Sequence, residues 1–510
     1  MHGDAKASIV GSIKLPLTKS HFIVKGGVSD INKKLFAHVL GQAILIVGAL
    51  MLIPLFHALY LMSTSLPGIF ASIIITMTIG EALSRIGRNP PEKFTLVDAA
   101  GVMVTIWPLF AIIGMLPILL SGEESLTDAF FESVSCITST GVSLLNPFSP
   151  QPLFMWRCIL SWIGSLTFII MLATVAPPVC GSLGLIVSYK ASLIFSPMTR
   201  RMKKASIAAT KLYVGLTAIS ICLFMTTGIG ANESIKMALM ALSTGGWSEH
   251  TLFLLKDNIW LDIVATISMM FACVNFLLYF EAVKRRDLKI IFKNAEFRIF
   301  CGMVLVFTAV IAFHLWYTEN YTVMSSIRYA FFHVISFSST SGFLSADVNS
   351  WPDFDRFTLL MLVVVGGCIG SLSGGIKVKR IVILFKMTLS EMRRSLHPHM
   401  VSHIGLDNEI IPMRIVMNIL CYFFVHLAIL FIFTLILSLS DIRLPEATGI
   451  AIGLLSSVGS ASGLYGLETF SSLSTGFKII CCIFMMIGRM EIFALMLWLS
   501  GESEERQNKW

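Results

Sequence analysis

Apolar runs broken by short polar connections dominate the chain from residue 37 onward. The clearest are Leu45 to Leu61, Val102 to Leu120, Leu212 to Met225, Ile415 to Leu437 and Ile479 to Leu499. With their flanks they approach the about 20 residues that a helix needs to cross a bilayer. After a first pair of segments, at 37–61 and 67–84, one pattern recurs four times. It is a long apolar helix, a short amphipathic segment, a Ser/Thr-Gly loop and a second long helix. Taking Gly141, Gly245, Gly342 and Gly459 as counterparts, the loops lie 104, 97 and 117 residues apart. A period of about 100 residues is the mark of repeat architecture.

The pattern predicts an all-α membrane protein. Four pseudo-symmetric helix–pore-loop–helix repeats surround one ion pore, preceded by an N-terminal helix pair. The divisions are a tail over 1–36, the helix pair over 37–97, pore repeats over 98–180, 205–285, 297–388 and 410–500, and a tail over 501–510. Ten spanning helices and four half-helices result. The half-helices carry start signals: Ser125 with Asp128 as a capping box, Asn232 before Glu233 as an N-cap, and Pro445 with Glu446 in a first turn.

Composition agrees: 55% of residues are hydrophobic and 13% charged, too little polar surface for a soluble chain of this size. The net charge of +8 is not a nucleic-acid signal, because basic residues fall in alternate connections. Arg85 and Arg88, Arg200 to Lys204, Lys284 to Lys293, and Lys386 with Arg393 and Arg394 mark one side. Lys and Arg gather on the cytoplasmic side of membrane proteins, so both termini are expected in the cytosol. The N-terminal residues do not read as a cleavable signal. The ten cysteines show no zinc spacing, and no covalently bound cofactor is expected.

Irregular backbone at membrane depth is tolerated where it lines a watery cavity or is buried in protein. Glycine lets successive carbonyls turn inward, and rings of carbonyls replace the hydration shell of potassium. The candidate ion-binding residues are therefore Ser139, Thr140, Gly141 and Val142; Ser243, Thr244, Gly245 and Gly246; Thr340, Ser341, Gly342 and Phe343; and Ser457, Val458, Gly459 and Ser460. The hydroxyls of Thr140, Thr244 and Ser341 can brace the loops or add ligands. Half-helices that end at the loops aim their negative dipole ends at a cation.

Two further features sit inside apolar runs. Arg489 is costly at mid-membrane and faces either a pore or a partner such as Glu491. The run from Gly366 to Gly375, with Gly370, Ser371, Gly374 and Gly375, disfavours a continuous helix. The alternative is tight packing of small residues, with Lys377, Lys379 and Arg380 marking the cytoplasmic end. His397 to His403 reads as a solvated loop, His333 and His426 as packed residues, and Asn275 as an interhelical hydrogen-bonding group.

Specific runs carry a family resemblance: Phe130 to Ser135 with Ser139-Thr140-Gly141, Trp156-Arg157, Trp162-Ile163-Gly164, Tyr213 to Thr217, Ser243 to Gly246, and Asn275-Phe276. The second half adds Gly342-Phe343, Trp351-Pro352, Gly370-Ser371, Gly374 to Lys377 and Gly488 to Phe493. In these the chain resembles the Trk/Ktr/HKT superfamily of potassium uptake proteins, and within it the bacterial Trk type. The resemblance implies potassium as substrate, Gly370 to Lys377 as a gating loop, and Arg489 as a barrier below the filter. It also implies a homodimer in the bacterial inner membrane, in contact with lipid, and a cytosolic nucleotide-binding regulatory subunit. Departures are Cys136 and Ser165 in place of glycines, and Ser457 and Ala461 flanking Gly459. Gly141 stands where some sodium-favouring relatives carry serine. A sodium-dependent or sodium-permeable transporter of the same fold is the alternative. A polytopic membrane enzyme would need paired acids or a His/Asp cluster, and the sequence shows neither.

Overall fold

Among the described residues, seven continuous helices are long and apolar enough to span a membrane: Lys33–Tyr60, Leu66–Ile86, Gly101–Leu120, Gln151–Leu172, Lys204–Met225, Ala295–Thr318 and Met413–Ser438. They come from a computed structural model that describes residues 33–88, 96–144, 150–174, 198–247, 255, 258–318, 321–397, 404–406, 409–440, 442–465, 470 and 473–490. Among the described residues the chain is almost wholly helical, relieved by a short antiparallel ladder of Gly405–Leu406 with Glu409–Ile410. The first two spans pack closely through small residues, as a Cβ at Gly41 would lie 2.5 Å from Ser84 N.

One further span is broken by a bend, and one further pair of helices is separated by irregular backbone. Ile259–Cys273 and Phe276–Arg285 meet at an angle of 92°. Asn275 caps the second piece, its Oδ1 accepting from Leu277 N at 2.9 Å. Asp353–Val365 and Val378–Leu396 are separated by an irregular segment from Gly366 to Lys377. That segment is therefore not a tightly packed helix of small residues. Its backbone is satisfied instead by the bent span: Cys368 N donates to Cys273 O at 3.2 Å, Leu372 N to Ala272 O at 3.1 Å, and Phe276 N to Gly370 O at 3.0 Å. Each polar group buried at this depth needs such a partner.

Four short helices, Leu126–Ile137, Ala231–Ser243, Val323–Ser338 and Leu444–Leu455, each lead to one of the Ser/Thr-Gly loops and are called half-helices 1 to 4. Ser125 caps the first by accepting from Asp128 N, and Thr322 caps the third by accepting from Ser325 N. The second starts two residues earlier than its sequence suggests: Gly230 is its N-cap, and Asn232 lies within the first turn.

Polar contacts join all four repeats around a closed circuit. Lys236 of half-helix 2 bonds Gln151 of the first repeat. Arg328 Nε of half-helix 3 donates to Asp262 of the second at 2.6 Å. Arg356 of the third repeat donates to Leu464 O of the fourth at 3.0 Å. Lys478 of the fourth pairs with Asp128 of half-helix 1 at 2.6 Å.

Candidate ion-conduction site

All four half-helices end in the same backbone turn. Ser139, Thr244, Thr340 and Ser457 take left-handed φ values of 58°, 57°, 58° and 59°. The following N–H, on Thr140, Gly245, Ser341 and Val458, donates to the carbonyl five residues back at 2.9, 3.1, 3.0 and 2.7 Å. This 6→1 bond is that of the Schellman motif, which is usually built on glycine. A non-glycine residue in this region costs about 1–2 kcal/mol, and such strain gathers at functional sites.

The shared turn sets the register. Gly141, Gly246, Gly342 and Gly459 follow the left-handed residue by the same two positions, so Gly246, not Gly245, is the counterpart in the second loop. Ser243 is the last residue of half-helix 2, and Trp247, which sequence spacing misses, takes the position of Val142, Phe343 and Ser460. Each wall then reads as four residues: Ser139–Val142, Thr244–Trp247, Thr340–Phe343 and Ser457–Ser460. All sixteen are buried.

The walls touch in sequence order and close on themselves. A Cβ on Gly141 would overlap Gly246 O, joining walls 1 and 2. Gly246 N donates to Ser341 O at 2.9 Å, joining walls 2 and 3. A Cβ on Gly342 would lie 2.8 Å from Ser460 Oγ, joining walls 3 and 4. Gly459 N donates to Thr140 O at 2.5 Å, joining walls 4 and 1. The ring contains carbonyls, hydroxyls and apolar side chains, with no charged residue. The Thr140 and Ser341 hydroxyls lean on Thr138 and Ser339, each at 2.8 Å, and so brace their own turns.

The irregular segment lies against the helix ends that carry this ring. Gly374 N donates to Thr340 Oγ1 at 2.8 Å, and Thr244 Oγ1 donates to Leu372 O at 3.5 Å. A Cβ on Gly374 would overlap Ser456 O in the fourth loop. Arg489 ties the segment to the first repeat: Nη1 donates to Leu372 O at 2.8 Å and Nη2 to Ser165 Oγ at 3.0 Å. Ser165 in turn meets Ser139 Oγ at 3.0 Å and Ser243 O at 2.8 Å. The guanidinium lies 4.6 Å from the centre of the Phe168 ring. Arg489 is buried, while its alternative partner Glu491 lies outside the described residues. Lys377 folds back on its own segment, donating to Ser373 O, to Ser373 Oγ at 3.0 Å and to Ser371 Oγ at 3.4 Å. Gly370 and Gly375 hold left-handed turns in it, at φ 76° and 73°.

Asn275, expected to reach another helix, instead caps its own and receives the close approach of Gly370. His333 is packed, its ring centre 4.9 Å from that of Trp351. His426 stacks on Tyr422, which also lies 4.1 Å beneath the Arg380 guanidinium. Among the described residues no group of three or more His, Cys, Asp or Glu is placed to hold a metal. Of the His397–His403 run, residues 398–403 lie outside the described residues.

Comparison with known proteins gives a consistent result. The Trk system potassium uptake protein TrkH of Escherichia coli K12 is 28% identical over 472 residues, covering 90% of this chain and 96% of that protein. TrkG of the same organism is 27% identical over 482 residues, covering 92% and 98%. The crystal structure of the potassium transporter TrkH from Vibrio parahaemolyticus superposes with a TM-score of 0.84 at 24% identity, over 91% of this chain and 98% of that one, so the fold is shared. The family model TrkH, described as cation transport protein, matches residues 65–508. By that match the chain belongs to the TrkH family of cation transport proteins, and it is a transporter, not an enzyme.

Proposed function

We propose that the chain carries potassium ions into the cell across a bacterial cytoplasmic membrane, with the four-walled ring as its selectivity filter. The observation that carries this reading is the single turn built four times, which closes four carbonyl-bearing loops around one axis. Carbonyl rings substitute for the water around potassium, and the four half-helix C-termini add negative partial charge there. An entering ion exchanges the two cross-loop hydrogen bonds, at Thr140 O and Ser341 O, for ion–carbonyl contacts. The names of the curated relatives support potassium as the cargo.

The segment from Gly366 to Lys377 acts as gate, and Arg489 as an electrostatic barrier that also latches the gate. Both termini and the basic connections face the cytosol. The transporter works as a homodimer with a cytosolic nucleotide-binding regulatory subunit, as the resemblance to the Trk type implies.

Two experiments bear on this. Expression in a strain deficient in potassium uptake restores growth at low potassium, and the purified protein moves potassium into liposomes; sodium flux without potassium flux would overturn the cargo assignment. Gly374→Ala, which cannot seat against Ser456 O, raises partner-free potassium flux by about tenfold, equivalent to about 1.4 kcal/mol of lost closure. Unchanged flux in that variant would remove the segment from the gate.

A further inference from the structure

Half-helices 1 and 3 each reach to their own loop with two polar side chains, at the same two positions. In wall 1, Ser135 Oγ donates to Val142 O at 2.6 Å, and the Glu132 carboxylate accepts from Leu144 N at 2.8 Å. In wall 3, Ser336 Oγ donates to Phe343 O at 2.7 Å, and His333 Nε2 accepts from Ser345 N at 3.4 Å. The tied residues are separated by 7 and by 12 positions in both walls. In the register set by the four turns, walls 2 and 4 carry Met240 and Met237, and Gly453 and Ile450, at these positions. None of these has a hydroxyl, carboxylate or imidazole with which to make either tie. Walls 1 and 3 face each other, because the contacts run from 1 through 2 and 3 to 4 and back.

The two acceptors differ chemically but are each fixed for one task. Glu132 is buried and paired with buried Arg157 at 2.6 Å. The pair fixes the carboxylate beside the Leu144 N–H. The Arg157 guanidinium also lies 4.5 Å from the Trp247 ring centre, so the brace of wall 1 reaches the neighbouring wall by stacking. For His333, Nδ1 meets Tyr329 O at 2.8 Å and must donate to it. The other ring nitrogen, Nε2, faces the Ser345 N–H.

We infer that Glu132 and His333 are equivalent positioning residues that, with Ser135 and Ser336, pin two opposite filter walls just past their glycines and thereby set ion selectivity. This rests on the reading of the ring as the potassium filter. This side-chain bracing is two-fold although the backbone turn is four-fold. A braced opposite pair fixes the spacing that discriminates between ions.

The test is the potassium-over-sodium permeability ratio of purified variants in planar bilayers, with gel-filtration elution as the check on folding. His333→Leu and Ser336→Ala each lower the ratio by about fivefold, the equivalent of one lost hydrogen bond. His333→Gln retains an acceptor for the N–H and stays within about twofold of wild type. Met237→Leu and Ile450→Val, at the matching positions of walls 2 and 4, leave the ratio unchanged. Ser336→Ala removes a single hydroxyl and leaves no charge unpaired, so it separates this effect from misfolding. An unchanged ratio in Ser336→Ala or His333→Leu that elutes as wild type overturns the inference and leaves the filter reading intact. A wild-type protein with no potassium preference overturns both.

Discussion

Gly141→Ser is expected to lower the potassium-over-sodium permeability ratio by about tenfold, or about 1.4 kcal/mol of lost discrimination. Two effects act together at this residue. Its φ is 79°, a conformation that glycine adopts freely and serine resists. Its added Cβ would overlap Gly246 O, so walls 1 and 2 must part. A wider, less regular ring no longer distinguishes ions by fit to the carbonyls. Resemblance to the superfamily points the same way, since some sodium-favouring relatives carry serine at this position. Gly215, where an added Cβ meets nothing within 4 Å, provides the control: Gly215→Ala keeps the wild-type ratio. Bi-ionic reversal potentials measure both. A Gly141→Ser protein with unaltered preference would take wall 1 out of the filter.

Arg489→Ala is expected to raise potassium flux, for two reasons that a second variant separates. A unit charge repels a cation at about 8 Å by about 2 kcal/mol when the effective dielectric constant is about 20. Removing it speeds passage by about thirtyfold if that barrier limits the rate. The same change deletes the bonds to Leu372 O and Ser165 Oγ that hold the irregular segment to the first repeat. Arg489→Lys keeps the charge but cannot reproduce the guanidinium fork. Flux in Arg489→Lys near wild type assigns the effect to charge, and flux near Arg489→Ala assigns it to the latch. Single-channel current or liposome flux reads both, and wild-type flux in Arg489→Ala would deny Arg489 either role.

Much of this arrangement is legible in the amino-acid sequence because it depends on local composition. Four Ser/Thr-Gly loops, a glycine cluster inside an apolar run and an arginine at mid-span each violate the pattern of an ordinary membrane helix. What is not legible is set by long-range contacts. The 92° bend after Cys273 has no proline or glycine to announce it. It is held by hydrogen bonds from Cys368 and Leu372, about a hundred residues away in the chain. The register of wall 2 is ambiguous from spacing because Gly245 and Gly246 are adjacent. It is fixed by the left-handed turn at Thr244, and with it Trp247 joins the wall. The match between Glu132 and His333 is hidden for a different reason. A carboxylate and an imidazole share no sequence signal, and their equivalence shows only in what each accepts from its loop.

In the proposed filter, one glycine from each of four loops contributes to the potassium-binding ring. The most direct test is the bi-ionic reversal potential of the wild type beside Gly141→Ser, Gly246→Ser, Gly342→Ser and Gly459→Ser. A potassium-selective wild type that loses selectivity in all four variants, with Gly215→Ala unaffected, is the expected result. A wild type without potassium preference, or selectivity that survives substitution at any of the four glycines in a folded protein, would contradict it.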